Sequence, residues 1–275
     1  KLIRKDPKTF LKNISNRNIN LDLDKLLNLD KKNRELIQTK EKLEQEKKII
    51  SKNPDKSLFE KSKKISKEIE KIDESQKKIK NEIILTLSTI PNIALDDVPV
   101  GKDESSNVEI KKLGSITSFN FKPLSHYELG KKMDLLDFDV ATKTSGARFV
   151  YLKGKLAELE RAISNFMLDI HTKEFGYQEI SPPLLATYET MFGTGQLPKF
   201  EVDQFEIKLD SEKIRKFLIP TAEVILTNIV RESLTPINKL PLRFVASTAC
   251  FRKEAGSYGK DTKGMLRQHQ FYKVE

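Results

Sequence analysis

"FRKEAGSYGKDTKGMLRQHQFYKVE", residues 251–275, sets charges of both signs on either side of a glycine- and lysine-containing loop. Side chains two apart in a strand share a face. The run LRFVASTACFR at 242–252 is rich in β-formers and predicts a strand, so that Arg252 and Glu254 point the same way. Beyond the loop, Arg267, His269, Phe271, Lys273 and Glu275 fall on one parity. Paired as an antiparallel hairpin, these segments offer two arginines, two carboxylates and an aromatic ring on one face. That is equipment for an anionic, aromatic, amine-bearing ligand. The same alternation also describes a solvated face crossed by a ladder of ion pairs, and parity alone does not choose between them.

Upstream the chain changes character. Leu29, Leu36, Leu43 and Ile50 recur every seven residues and predict a helix over 24–52 with a coiled-coil seam. Asn33, Lys40 and Lys47 make the companion seam positions polar, so this helix is not deeply buried. Asn53-Pro54-Asp55 breaks it. A second helix follows over 57–88, with Ile65, Ile69, Ile72, Ile79 and Ile83 at three-, four- and seven-residue spacing. The two form an antiparallel hairpin about 45 Å long at roughly 1.5 Å per residue. Residues 1–23 predict a strand or short helix, 1–93 a helical arm, and 94–118 a polar linker with one short strand.

The remaining residues, 119–275, predict a globular α+β domain. An amphipathic helix from 147 carries Leu156, Leu159, Ile163, Phe166, Met167 and Ile170 on its apolar side, and Gly176 stops it. Strands are expected at 177–181, ended by Pro182-Pro183, at 205–209 and at 217–219. Pro220-Thr221-Ala222-Glu223 opens a helix to about residue 234.

At 275 residues with 37% hydrophobic content there is room for a real core, while 33% charged residues require a more polar portion as well. A net charge of +10 favours polyanion partners, although lysine-rich surfaces also serve solubility. Cys250 is the only cysteine, which excludes an internal disulfide and a thiolate metal cluster. It reads as a small buried apolar residue. His126, His171 and His269 lack metal-ligand spacing. There is no apolar run of about 18 residues and no signal peptide, so a soluble cytoplasmic protein without membrane association is expected. The first residue is lysine and the last falls inside a strand pattern, as in a fragment of a longer chain.

Taken together, "FGYQEISPPLL" (175–185), "GTGQLPKF" (193–200), "IPTAEV" (219–224) and the closing 251–275 stretch resemble the bacterial type of seryl-tRNA synthetase, a class II aminoacyl-tRNA synthetase. The helical hairpin is similar to that family's N-terminal tRNA-binding arm. "LLDFDVATKTSGARFVYLKGKLAELERA" (135–162) adds to the likeness, which covers nearly the whole chain.

The resemblance implies a ligase that activates L-serine with ATP and passes the seryl group to serine tRNA, with Mg²⁺ as companion of the nucleotide. Arg252 resembles the second-motif arginine that bridges the serine carboxylate and the α-phosphate. Its planar fork suits a two-sided contact better than lysine does. Glu254 resembles the carboxylate that receives the adenine amino group; Phe271 would stack on the purine and Arg267 reach the β- or γ-phosphate. Thr221 and Glu223 resemble the T-x-E element holding the substrate ammonium, and Glu275 the serine-binding glutamate. Read from spacing alone, Thr221 is a helix N-cap with Glu223 in the first turn. Pro182 and Pro183 match the first motif, at the homodimer interface of class II enzymes. The GTGQ stretch has no assigned catalytic task.

The third motif and the residues binding the serine hydroxyl are expected beyond residue 275, so this segment alone is expected to be inactive. Three rival readings compete. An enzyme of the same fold that loads a carrier protein lacks the arm and uses cysteine-ligated metal. A structural coiled coil does not explain the terminal hairpin. A catalytically dead paralogue that only binds RNA is the alternative carried forward.

Overall fold

The computed structural model describes residues 2–52, 57–208, 214–255 and 263–275. The Asn53-Pro54-Asp55 break, residue 209 and most of the loop between Arg252 and Arg267 lie outside the described residues. The chain divides into two compact units, Lys1–Ser115 and Ile116–Glu275.

In the first unit, residues 1–23 resolve the strand-or-helix choice as two short helices, α1 (Leu2–Lys5) and α2 (Pro7–Ser15). Asp6 starts α2: its carboxylate accepts from Thr9 N at 3.0 Å, and Pro7 sits where no N–H is needed. The long helices are α3 (Leu23–Ser51) and α4 (Ser57–Thr89). Three ion pairs between them mark direction and register: Lys25 with Glu82 at 2.8 Å, Lys40 with Asp73 at 2.6 Å, Glu46 with Lys61 at 2.7 Å. As numbers rise along α3 their partners' fall along α4, so the pair is antiparallel. Positions 29, 33, 36, 40, 43, 47 and 50 of α3 are all half-buried or buried, as are 65, 69, 72, 76, 79 and 83 of α4. The heptad seam is therefore the one the leucine spacing predicts, with one polar member added, the buried Gln76. Residues 94–107 carry a 3₁₀ turn at Glu104–Ser106, and no strand among the described residues. They turn back toward α2, where Asn18 Nδ2 donates to Gly101 O at 3.0 Å.

The second unit begins with α5 (His126–Lys132), started by a reciprocal Ser125–Glu128 capping box. Strand β1 (Leu136–Asp137), helix α6 (Phe138–Ser145) and strand β2 (Tyr151–Leu152) follow. The amphipathic helix is α7 (Gly154–Lys173). Its predicted start at 147 is seven residues early, because Tyr151 and Leu152 pair with Asp137 and Leu136 as a short antiparallel ladder. Gly176, at φ 66°, follows its end as expected.

Next come β3 (Gln178–Glu179), β4 (Leu185–Thr187), α8 (Tyr188–Gly193), β5 (Glu206–Ile207), β6 (Lys216–Leu218) and α9 (Glu223–Thr227). Helix α9 stops well short of residue 234, passing into a 3₁₀ turn at Asn228–Val230. Leu234 is fully exposed, so further turns would bury nothing to offset their ordering entropy.

The strand expected over 242–252 divides into β7 (Phe244–Val245) and β8 (Ser247–Phe251), with β9 (Gln270–Val274) last. The division reflects two partners. β7 runs parallel to β3, whereas β8 pairs antiparallel with β9. β4, β6 and β5 form an antiparallel sheet. The core lies beneath it, built from Ala186, Met191, Leu197, Phe217, Ile219 and Val224. A smaller cluster of Ala222, Leu226 and Ala246 ties α9 to the turn between β7 and β8. No helix among the described residues is long and apolar enough to cross a membrane.

Ile65→Ala is expected to destabilise the helical hairpin by about 2–3 kcal/mol, the low end for truncating a buried isoleucine, because a two-helix seam can relax into the space. Leu85→Ala, on an exposed position of the same helix, should stay within about 0.5 kcal/mol. Urea unfolding followed by helical circular dichroism checks both; equal losses would show that the seam is not where the hairpin is held.

Candidate active site

The β8–β9 ladder places Thr248 opposite Lys273 and Cys250 opposite Phe271. It continues past both strand ends: Arg252 N donates to His269 O at 3.0 Å, and Ala246 and Glu275 exchange both backbone bonds at 2.9 and 3.0 Å. Directly opposed residues share a face. The even residues 246–252 therefore stand beside the odd residues 269–275, the pairing that parity predicts.

Arg252 leaves the end of β8 with its guanidinium over the Phe271 ring, 5.2 Å from the centroid, and its Nε donates to Pro220 O at 3.3 Å. Glu254 lies just beyond, in the left-handed region at φ 51°. Its carboxylate is mostly buried and pairs with Arg267 Nη1 at 2.9 Å. Arg252, Glu254 and Arg267 line one cavity of about 450 Å³, together with Gln196, Phe200, Asp203, Gln204 and Pro220. Volume and charge suit a nucleotide: cations for phosphates, a carboxylate, and an aromatic face beside them.

Two strand periods further along the ladder, at Glu275, lies a second constellation. Thr221 is buried, and its hydroxyl donates to the Glu275 carboxylate, at 2.6 Å to Oε1 and in close contact with Oε2. Glu275 Oε1 also accepts from the backbone N–H of Glu223 at 2.8 Å. Lys273 Nζ reaches Thr221 Oγ1 at 3.0 Å and Glu275 Oε2 at 2.8 Å. Burial alone would push the Glu275 carboxyl up; Lys273, the Thr221 hydroxyl and the Glu223 N–H outweigh it and hold it below the usual carboxylate range. Thr221 is thus no helix cap, since its hydroxyl is turned to Glu275. Ala222 occupies the N-cap position, without a side-chain bond.

The two groups are neighbours on one face but do not line one cavity. Glu223 and Glu275 border a separate hollow of about 420 Å³ with Tyr177, Leu226, Val230 and Arg243. The two constellations meet at Pro220 and Thr221, consecutive residues of which one accepts from Arg252 and the other binds Glu275. Cys250 is fully buried between them, and burial pushes its thiol up, as fits a packing residue. His269 packs on Phe149 and Phe205, with Nδ1 3.0 Å from Arg252 O, and lies against the site rather than in it.

Several site residues carry no sequence signal. Arg148, in a left-handed turn at φ 64°, donates from Nη1 to Glu254 O at 2.8 Å, and its own carbonyl accepts from His269 N at 2.9 Å. Asp203 accepts from Ala255 N at 2.8 Å and, through its carbonyl, from Lys253 N at 2.9 Å. Together they brace the chain on both sides of Glu254. Gln196 belongs to the GTGQ stretch, for which the sequence suggests no task, and lines the nucleotide-sized cavity. No local pattern marks any of these; Lys273 alone carries one, its shared parity with Phe271 and Glu275.

The model described as "Seryl-tRNA synthetase N-terminal domain" matches residues 1–94, and "tRNA synthetase class II core domain (G, H, P, S and T)" matches residues 200–275. The serine–tRNA ligase of Pelagibacter ubique is 65% identical over 275 residues, covering 100% of this chain and 66% of that protein. Its namesake in Parvibaculum lavamentivorans is 47% identical, again over 100% of this chain and 66% of the relative. Among solved structures, seryl-tRNA synthetase from Pyrococcus horikoshii complexed with ATP matches with a TM-score of 0.83 at 32% identity, covering 99% of this chain and 67% of that one. Cytoplasmic serine–tRNA ligase from Naegleria fowleri in complex with AMP gives 0.79 at 28% identity, covering 98% and 62%. The chain spans 66% of the length of the curated relatives. With the arm and the sheet domain both matched, in one order and across its whole length, it belongs to the seryl-tRNA synthetase family of class II aminoacyl-tRNA synthetases.

Proposed function

We propose that this chain carries the arm and the first two motifs of a serine–tRNA ligase, which joins L-serine to ATP and then esterifies serine tRNA. The observation that carries the proposal is the shared face of the β8–β9 ladder. It sets Arg252 beside Phe271 and, two strand periods beyond Phe271, Glu275 against Thr221.

In the first step a serine carboxylate oxygen attacks the α-phosphorus of ATP and pyrophosphate leaves. Both reactants are anionic, so the site must neutralise charge and hold oxygens in line. Arg252 bridges the serine carboxylate and the α-phosphate from the seam between the two constellations. The purine stacks on Phe271, its amino group donates to Glu254, and Arg267 turns to the terminal phosphates. Nucleotide entry thus exchanges the Arg267–Glu254 pair for two contacts of the same kinds. Thr221, Glu223 and Glu275 take the serine ammonium end. In the second step a hydroxyl at the tRNA 3′ end attacks the seryl carbonyl and AMP leaves.

Mg²⁺ enters this proposal only with the triphosphate. Among the described residues no group of three His, Cys, Asp or Glu side chains stands where it could hold a metal ion.

The arm, residues 1–93, is proposed to track the tRNA backbone, with 94–118 linking it to the catalytic part, 119–275. Exposed lysines such as Lys31, Lys42, Lys64, Lys71 and Lys78 supply the charge. A homodimer through the region of Pro182 and Pro183 is supported by the exposed Leu159, Phe166 and Met167 of α7 and by Leu184. Cytoplasmic location follows from the proposed reaction. The alternative, an RNA-binding paralogue without catalysis, draws no support from the site or from the relatives' names.

In the full-length gene product, Arg252→Ala is expected to slow serine-dependent ATP–pyrophosphate exchange by about 10²–10³-fold, the usual cost of one preorganised transition-state contact. Exchange at the wild-type rate would show that Arg252 does not bridge the two reactants. Deleting residues 30–85 should leave that exchange intact and cripple aminoacylation of serine tRNA, as measured by charging of radiolabelled serine. Equal loss in both assays would make the arm a structural part of the catalytic domain.

A further inference from the structure

Lys273 stands at the centre of the amino-acid constellation, and neither the family's motifs nor the relatives assign it a task. Its ammonium touches Thr221 Oγ1 at 3.0 Å and Glu275 Oε2 at 2.8 Å, so one cation joins the two side chains proposed to hold serine. The small, buried Thr248 lies directly opposite Lys273 in the ladder, and the lysine side chain is 38% exposed. Lys273 is accordingly neither a free surface charge nor a core residue.

Counting donors and acceptors shows what such a cation does. A threonine hydroxyl has one proton and two lone pairs, and an ammonium only donates. With Lys273 donating to Thr221 Oγ1, the hydroxyl proton is directed to Glu275, where the close contacts lie. One lone pair of Thr221 remains free, fixed in direction, for a substrate donor. On the carboxylate, the one Thr221 proton lies against both oxygens, Oε1 also accepts from Glu223 N and Oε2 from Lys273, which leaves acceptor capacity for a substrate donor. Glu275 is thereby held in one rotamer.

Charge supplies the second part. Glu275 and the exposed Glu223 are two carboxylates at one site. Two like charges held close with no cation beside them repel each other. Lys273 answers one of the two negative charges, so that one net negative charge remains across the pair for the incoming ammonium. The further groups facing this position are Arg252 and Cys250 from β8 and its end, and Arg243 and Tyr177 around the hollow.

Resting on the proposed serine-ligase reading, we infer that Lys273 is a positioning residue for amino-acid recognition: it orients the Thr221 hydroxyl and keeps Glu275 an anionic acceptor for the serine ammonium end. It touches no reacting atom and leaves the nucleotide side alone.

The test uses the full-length gene product and ATP–pyrophosphate exchange over a range of pH, with serine and ATP varied separately. Lys273→Gln should raise KM for serine by at least about 10-fold, the usual loss for a charged hydrogen bond, and change kcat and KM for ATP by less than about threefold. The acid limb of kcat/KM for serine should move to higher pH. Glu275 has a lowered pKa in the folded protein, so its contribution is present above that pKa and lost as pH falls through it; removing the cation raises the pKa and brings the loss on earlier. Lys273→Arg, which keeps a cation, should restore both the serine KM and the limb. An unmoved limb with an unchanged serine KM, or equal losses in serine and ATP, would overturn the inference. An Arg variant as impaired as the Gln variant would do the same. Should thermal unfolding show the Gln variant unfolded, the Arg variant decides: wild-type KM and limb uphold the cation's role, and a shifted limb in folded protein refutes it. Absence of serine-dependent exchange in the unsubstituted protein would instead bring down the proposed function.

Discussion

The contact on which the candidate site depends is the one that closes the last ladder: the Glu275 carboxylate held by the Thr221 hydroxyl, the Glu223 N–H and the Lys273 ammonium. It joins the end of β9 to the start of α9, more than fifty positions earlier in the chain. A partly buried carboxylate is tolerable only when its lone pairs are taken up and its charge is answered. Three donors from two elements meet that demand. The constraint reaches backward as well: Thr221 can serve Glu275 only because Pro220 and Thr221 form a turn of fixed path between β6 and α9, packed by Ile219 and Ala222 in the two core clusters.

From this contact the ladder hands geometry along itself. The exchange of backbone bonds between Ala246 and Glu275 fixes the register, and the register puts Phe271 beside Cys250 and Arg252 beside His269. A slip of one residue would turn every odd side chain of β9 to the other face, carrying Phe271, Lys273 and Glu275 away from Arg252 and Thr221 together. The nucleotide-sized cavity and the hollow beside Glu275 are therefore parts of one structural decision, although their walls come from different loops.

What is legible in the sequence follows the range of the interaction. Periods of two and of seven residues are local, so the shared face of Arg252, Phe271 and Glu275 and the seam of α3 and α4 can be read from spacing. So can the stop at Gly176, a property of one residue. The misplaced boundaries have distant causes. The start of α7 moves because Tyr151 and Leu152 answer Leu136 and Asp137, and the 242–252 strand divides because β3 takes one half and β9 the other. Helix α9 falls short because nothing packs beneath Leu234. Arg148 and Asp203 bind backbone groups of residues 253–255 and 269, with both side chain and main chain, and contacts to a distant backbone leave no side-chain pattern in the sequence. The family likeness, in contrast, singles out Thr221 and Glu223 where spacing alone offers a helix N-cap and a first-turn acid; the structure gives the cap position to Ala222 and keeps Glu223 in the first turn of α9.

The site also satisfies itself before any ligand arrives. Arg267 rests on Glu254, the Arg252 guanidinium on the Phe271 ring, and Lys273 on Thr221 and Glu275. Each of these groups would be costly to desolvate without a partner, and each partner shares one property with the ligand group proposed to replace or join it: an N–H donor at Glu254, a flat group on Phe271, an ammonium at Thr221. Binding then becomes an exchange of like for like, in which little hydrogen-bonding energy is lost on the way in. Selectivity must accordingly come from what only the correct ligand completes. The Arg252 fork is the place where the two halves of the site must both be filled, because it sits against Pro220 on one side and Phe271 on the other. A carboxylate and a phosphate presented together can engage both edges of a planar guanidinium, whereas either alone leaves one edge without its anion.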